Sequence, residues 1–363
     1  MMKTLFRTTI IFAMLYLLFL NSPSARAFTQ WYVSPTGDNS NDCQTATTPC
    51  KTIQAAINKA MDGDLVSVAA GTYSISTNGE AFPITITKAL VLSGDVSGQS
   101  TVDATNSGDV AFYVSGNMGL YMSHFTIQGG VAGVDFVGAF NNSRIWGSIS
   151  SCNISGNRDN GIYSVYSNVS IEGNVLAFNG GGASTDAAIR NVDSDPIIVN
   201  NAIAWNNGHG IYNEVSSPTI TNNTISINLN GTGIANLFAS NPQISNNIVI
   251  LNGHHGIYAD GSSSPINTYN DVWGNSISGP GWTDYYGTAP GTGSISADPK
   301  FVSIFDAHLQ CGSPAINAGN NSAPNVPSYD LDGKPRPVGG IVDMGAYEKQ
   351  LPICAIFLPL IRK

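Results

Sequence analysis

The sequence predicts an all-β protein: a single-stranded right-handed parallel β-helix with three strands per coil and a capping helix near its N-terminal end. Three series of apolar residues carry this. Five isoleucines, Ile162, Ile189, Ile211, Ile234 and Ile257, each open the same phrase, Gly-Ile-Tyr in three copies, at spacings of 27, 22, 23 and 23 residues. A second series, Ile171, Ile198, Ile220, Ile244 and Ile266, keeps the same register, with Pro ahead of most copies. A third, Ile154, Leu176, Ile203, Ile225, Val249 and Val272, comes with the Asn column Asn174, Asn201, Asn223, Asn247 and Asn270. Three short period-two segments per repeat, separated by Asn, Gly and Ser turns, give three parallel strands per coil. No coil can bury its inner face alone, so the coils must stack. A leucine-rich repeat has a similar period, but its Leu-x-x-Leu-x-Leu pattern is missing and β-branched residues hold the inward positions.

Each element follows in chain order. Residues 1–27 read as a signal peptide: Lys3 and Arg7, an apolar run from Ile10 to Leu20, then Ala25-Arg26-Ala27 as a small-x-small site cleaved after Ala27. Residues 28–100 read as the N-terminal cap and first coils. There Ile53, Ala56, Ile57 and Ala60 recur at helical spacing, which predicts a short helix near Thr52 to Met61 covering the open solenoid end. Leu65-Val66-Ser67-Val68 then begins the strands. Residues 101–285 hold the β-helix repeats, with Asn179, Asn206, Asn228, Asn252 and Asn275 forming a second Asn column. Asn tolerates left-handed turns, and stacked amides can satisfy one another as ladders. Residues 286–349 read as a C-terminal domain. Residues 350–363 form an apolar tail with a basic end, too short to span a bilayer and readable either as a last strand or as an attachment signal.

Composition bounds the function. The chain has 363 residues, 11% charged, and a net charge of −9, which suits an elongated, monomeric, secreted or cell-surface solenoid. The acidic balance and lack of a basic patch exclude nucleic acid as a partner. No run after the signal has the length of a transmembrane helix. Of five cysteines, Cys43 and Cys50 lie seven apart in a polar loop and predict a local disulfide in an oxidising compartment. Cys311 and Cys354 leave a second bridge open, and Cys152, beside an inward Ile, reads as a buried free thiol. The spacing of Cys and His offers no zinc site.

The block from Trp31 to Tyr73, with Pro49-Cys50-Lys51-Thr52-Ile53-Gln54-Ala55-Ala56-Ile57 and Gly63-Asp64-Leu65-Val66-Ser67-Val68, resembles the opening of bacterial proteins of the pectate-lyase-like β-helix superfamily. Asp298-Pro299-Lys300-Phe301-Val302, Gly312-Ser313-Pro314-Ala315-Ile316-Asn317-Ala318-Gly319 and Asp330-Leu331-Asp332-Gly333, closing on Asp343-Met344-Gly345-Ala346-Tyr347-Glu348, resemble a choice-of-anchor type C-terminal domain of bacterial surface proteins. The resemblance implies fold and export more than activity, because one fold hosts many chemistries. Lyases of that superfamily pair a Lys or Arg base with an acidic Ca²⁺ cluster. This chain departs from the pattern: it has no lysine between Lys88 and Lys300, where only Arg144, Arg158 and Arg190 are basic besides His.

One outward stripe remains as a candidate site. The residue after each repeat Ile gives Tyr163, Arg190, Tyr212, Ala235 and Tyr258, with neighbouring coils ~4.8 Å apart. Tyr163, Arg190, Tyr212 and Tyr258 are the candidate glycan contacts: aromatic faces for sugar rings and a guanidinium fork for hydroxyls or a carboxylate. The plain alternative is stacking that steadies the sheet. Arg190, His209, Glu214 and Asp260 are the candidate catalytic groups; Glu214 and Asp260 stand two coils apart, roughly 10 Å, near the upper limit for an inverting glycosidase pair. His255, Asp186, Asp193 and Asp195 lie nearby, and residues 180–185 form an insertion beside Arg190. No cofactor is required. Ca²⁺ is a possible ligand, although Asp330-Leu331-Asp332-Gly333 lacks the further ligands of a Ca²⁺ loop. The sequence therefore favours a surface module contacting extracellular polysaccharide, with a polysaccharide lyase or glycoside hydrolase as the alternative.

Overall fold

The computed structural model describes residues 27–97, 99–140 and 144–350. The signal-peptide reading of residues 1–26 and the tail from residue 351, including Cys354, lie outside the described residues. Among the described residues, three parallel sheets of ten, nine and nine strands wind along the solenoid. The first runs from Gln30–Val33 to Ile266–Thr268, the second from Ile84–Ile86 to Tyr285–Tyr286, and the third from Gly71–Tyr73 to Asp271–Trp273. A single core runs down their middle.

The first sheet starts earlier than the sequence suggests. Gln30–Val33 pairs in parallel with the segment from Leu65 to Val68, so the cysteine loop and helix α1, Ile53–Lys59, are an excursion between two neighbouring strands. The helix is shorter than the spacing predicts. Thr52 caps it by accepting from the Ala55 N–H, and Ala60 is already extended. Glu80 adds a long-range cap, its carboxylate accepting from Ile53 and Gln54 N–H at 2.7 and 3.1 Å. Cys43 and Cys50 are disulfide-bonded, as is Cys311. Cys152 is a buried thiol whose burial pushes its pKa up to about 12.

Ile162, Ile189, Ile211, Ile234 and Ile257 stack in register and are fully buried. The third series does the same. The second series fails at its last member: Asn267 pairs with Ile244, while Ile266 points outward and is 59% exposed. Serines fix this register, the Ser216 N–H donating to Ser240 Oγ and the Ser240 N–H to Ser263 Oγ. The inward residue stands two places after Pro196, Pro218, Pro242 and Pro265, and in the last coil that place holds Asn267. A one-residue slip reverses the face of every side chain, so the ladder decides.

Single left-handed residues turn the corners. Tyr166, Asp193 and Val215 precede the serine column, Asn200, Asn222 and Asn246 the first Asn column, and Phe178, Trp205, Ile227 and Leu251 the second. Such a conformation costs a non-glycine residue about 1–2 kcal/mol. The residue that follows offsets the strain by bonding to the next coil. In the first ladder Nδ2 of each Asn from Asn174 to Asn247 donates to Oδ1 of the next at 2.9–3.1 Å, ending on Asn270. The second ladder starts one coil earlier than expected, at Asn157, and reaches Asn275 with bonds of 2.8–3.0 Å. A third, Asn191 to Asn213 to Asn236, lies inside the second sheet at 2.9 Å per step.

Beyond the coils, Phe301–Ser303 and Asp306–Leu309 form an antiparallel hairpin. The segment after it folds back on the solenoid flank, where Asn222 Nδ2 donates to Asp343 O at 2.9 Å and the Gly345 N–H donates to Asn246 O at 2.7 Å. Asp330-Leu331-Asp332-Gly333 is a turn: Asp330 Oδ1 accepts from Asp332 and Lys334 N–H and its Oδ2 from Glu348 N–H. Among the described residues no helix is long and apolar enough to cross a membrane.

Candidate glycan-binding face

The outer face of the second sheet carries the stripe, and the strand register extends it. Tyr113, Asp135, Tyr163, Arg190, Tyr212, Ala235, Tyr258 and Tyr286 follow one another on successive strands. Alternation about the inward Phe112, Val134 and Ile residues puts all eight side chains outside the core.

Arg190 sits between two tyrosines. Its guanidinium carbon lies 5.2 Å from the Tyr163 ring centroid and 5.6 Å from that of Tyr212, within cation–π range on both sides. Its charge is already met by Glu214, at 3.3 Å, and it reaches Thr185 Oγ1 in the insertion. That insertion is pinned by Asp186, whose Oδ2 accepts from Gly181 and Ala183 N–H, each at 2.9 Å.

The expected platform is interrupted at Tyr212. Its side chain leaves the core, but Ala187, Ala235 and Leu237 pack on it, and only 6% of the residue is exposed. The His209 ring covers it further, with centroids 5.1 Å apart. Alternation specifies which side of a strand a residue faces but not what its neighbours cover. Tyr212 is a packed support without a free face for a sugar.

The catalytic expectation meets similar geometry. His209 Nδ1 accepts from the Thr232 N–H at 3.0 Å and Nε2 lies 3.2 Å from Ser184 O. Burial pushes its pKa down to about 4, so the ring is neutral near pH 7 and both nitrogens are engaged by backbone. Asp260 accepts from the Phe238 and Ser262 N–H groups and the Ser262 hydroxyl. Partial burial works to raise its pKa, but these bonds and one from Ser263 outweigh it and hold the group at about 2. It caps a turn. Glu214 Oε2 pairs with Arg190 at 3.3 Å. Asp193 pairs with Arg144, and Asp195 accepts from the Ser217 N–H.

Two features of the face escaped the sequence. Near its C-terminal end Tyr258 and Tyr286 stack at 5.5 Å with rings 7° apart, His255 lies 4.7 Å from Tyr286, and Trp282 stacks on His254 at 4.1 Å. Trp282 and Tyr286 are 39% and 52% exposed. Tyr286 follows no Gly-Ile phrase, and only strand pairing assigns it to the column. Near the other end, Asp135 replaces the aromatic between Tyr113 and Tyr163. Its Oδ1 is buried without a hydrogen-bond partner, and burial, with Asp109 and Asp159 nearby, pushes its pKa up to about 7.

A second concavity lies on the third sheet. A cavity of about 600 Å³ opens between that sheet and the C-terminal hairpin, walled by Phe178, Trp205, Ile227, Leu251, Trp273 and Phe305. Four of these are left-handed or corner residues standing just before Asn179, Asn206, Asn228 and Asn252, a periodic apolar signal that was present in the sequence. Among the described residues no group of three or more His, Cys, Asp or Glu is arranged to hold a metal ion.

Residues 137–290 match the family described as right handed beta helix region. The fold has the handedness that the sequence predicts. Pectate lyase Pel9A is similar in structure, with a TM-score of 0.60 and 18% identity over 90% of this chain and 98% of the other. The A-module of the mannuronan C-5 epimerase AlgE4 from Azotobacter vinelandii follows at a TM-score of 0.49 and 20% identity, over 64% of this chain and 68% of the other. No curated protein matches the sequence significantly.

Proposed function

We propose that this chain is an exported, monomeric surface module that holds an extracellular polysaccharide on the outer face of its second sheet, with no cofactor required. The observation that carries the reading is the in-register column ending in the stacked, part-exposed Tyr258 and Tyr286 beside Trp282. Aromatic rings repeating along an extended face suit successive sugar rings, each ring offering apolar area and a polar tip. Export is supported by the Cys43–Cys50 disulfide and the N-terminal targeting pattern. Polysaccharide as the partner is supported by the fold shared with pectate lyase Pel9A, whose name marks it as acting on pectate.

Binding is favoured over bond cleavage because His209, Glu214 and Asp260 are each occupied by hydrogen bonds or an ion pair within the protein. The test is incubation of the chain lacking residues 1–27 with plant, algal and bacterial polysaccharides, with and without Ca²⁺. Retention on at least one glycan without new products is the expected result. New reducing ends or unsaturated products would make it a hydrolase or a lyase, and failure to be retained by any glycan would remove the reading.

A further inference from the structure

The cavity under the C-terminal hairpin is lined like an interior but is open. Phe178, Trp205, Ile227, Leu251 and Trp273 lie at the strand ends of five successive coils of the third sheet, so this apolar row runs along the solenoid for roughly 19 Å. Phe305, in the hairpin, stacks on Trp205 at 5.1 Å and walls the other side. Much of the lining faces outward: Phe178, Ile304 and Phe305 are 62%, 60% and 78% exposed. A contiguous apolar patch of this kind marks a surface that something else covers.

The chain itself supplies an occupant. Gln310 and Tyr347 line the cavity from two C-terminal segments, which meet where the His308 ring lies 4.1 Å from that of Tyr347. The described chain reaches Gln350, just past Tyr347, so residues 351–363 continue from the rim of the cavity. Cys311, next to Gln310, is disulfide-bonded. Of the five cysteines, Cys43 and Cys50 bond to each other and Cys152 is a free thiol, which leaves Cys354 for it. Four residues separate Cys354 from Gln350, at most about 14 Å of chain, so Cys354 is within reach of that rim. Beyond it the sequence is Ala355-Ile356-Phe357-Leu358-Pro359-Leu360-Ile361, apolar throughout before the basic Arg362-Lys363. Extended, residues 354–360 span roughly 20 Å, the length of the apolar row, and Pro359 suits a stretch that makes no continuous ladder.

We propose that residues 355–361, clasped through a Cys311–Cys354 disulfide, occupy this cavity and cover Phe178, Trp205, Ile227 and Phe305. The segment then locks the hairpin onto the third sheet and closes that flank to outside ligands, leaving the second sheet as the free face. Tethering at Cys311 gives it a high effective concentration at the cavity, which a second copy of the chain or a free apolar ligand lacks.

The test joins peptide mapping without reduction to hydroxyl-radical footprinting, both on the chain lacking residues 1–27. Mapping should recover Cys311 joined to Cys354. In footprinting Phe305 should react several-fold more slowly than Phe140, which is 75% exposed and lies outside the cavity. Phe357→Asp sets a charge against the apolar lining and should raise oxidation of Phe305 and Trp205 several-fold while Trp282 reacts as in the parent. The paired change Cys311→Ser and Cys354→Ser keeps the apolar residues but removes the tether; it should act in the same direction to a smaller extent, and it decides the matter if Phe357→Asp does not fold. Cys354 recovered as a free thiol, or Phe305 reacting at the Phe140 rate in the parent, overturns the inference. Protection of Phe305 that survives both variants overturns it as well, in favour of a second copy if dilution removes the protection and of a bound apolar ligand if it does not.

Discussion

Asn223→Ala tests the energetic core of the fold. The Asn223 side chain is fully buried, and its Nδ2 donates to Ile198 O at 2.8 Å, Thr221 O at 3.1 Å and Asn247 Oδ1 at 3.0 Å. Its Oδ1 accepts from both the backbone N–H and Nδ2 of Asn201, each at 2.9 Å. Truncation spares some of these partners. Asn201 Nδ2 keeps Ile171 O and Val199 O, and Asn247 Oδ1 keeps the Asn223 N–H. The Asn201 N–H and Ile198 O lose their ladder partner in a site closed to water. One or two orphaned buried groups at about 1–3 kcal/mol each give a destabilisation of roughly 2–4 kcal/mol. Urea unfolding followed by circular dichroism should show the midpoint fall accordingly, and hydrogen exchange at the Asn201 amide should accelerate before that of distant coils, because coils interact mainly with their neighbours. Asn230→Ala, at an exposed position, is the control and should stay within ~0.5 kcal/mol. A loss below that in Asn223→Ala as well would refute the ladder's role.

The tyrosines should separate by burial: Tyr212→Ala should lower the melting temperature through lost packing on Ala187, Ala235 and Leu237, whereas Tyr258→Ala should leave melting nearly unchanged and weaken glycan binding by roughly 1–3 kcal/mol. Reversal of that pattern, measured by calorimetry on both variants, would reassign the two residues. Stability should also fall as pH rises from about 4 to about 7. Burial pushes Asp271 up to about 7, and in that interval the folded chain holds a proton that an unfolded Asp, near pKa ~3.9, has lost. The slope from this group approaches about 1.4 kcal/mol per pH unit and flattens above pH 7; Asp135 and Glu348, also near 7, add to it. Asp271→Asn should remove a share of that slope in thermal melts, and an unchanged slope would contradict the assignment.

The periodic part of the chain was legible because stacking makes each coil repeat the constraints of the last. Inward isoleucines and ladder asparagines recur for that reason, and the outward position after each Ile followed from strand alternation. The misreadings have local causes. Residue type puts Ile266 inward, while the serine corner and Pro265 set the register by position. Gln30–Val33 has no local strand signal because its partner lies beyond a disulfide loop and a helix. At the site, strand alternation predicts the order of the column but carries no sign of coverage, so Tyr212, which is buried, and His209, which is bonded to backbone, read as available groups. Asp135 and Tyr286 could be placed only by pairing, since neither follows the Gly-Ile phrase.

The most direct test of the polysaccharide face is hydroxyl-radical footprinting of the chain with and without a retained glycan. Binding should protect Tyr163, Tyr258, Tyr286 and Trp282 on the second sheet while Trp205 and Phe305, at the cavity of the third sheet, react as before. Protection of Trp205 and Phe305 with the second-sheet tyrosines unchanged would contradict the account and place the glycan in the cavity under the C-terminal hairpin.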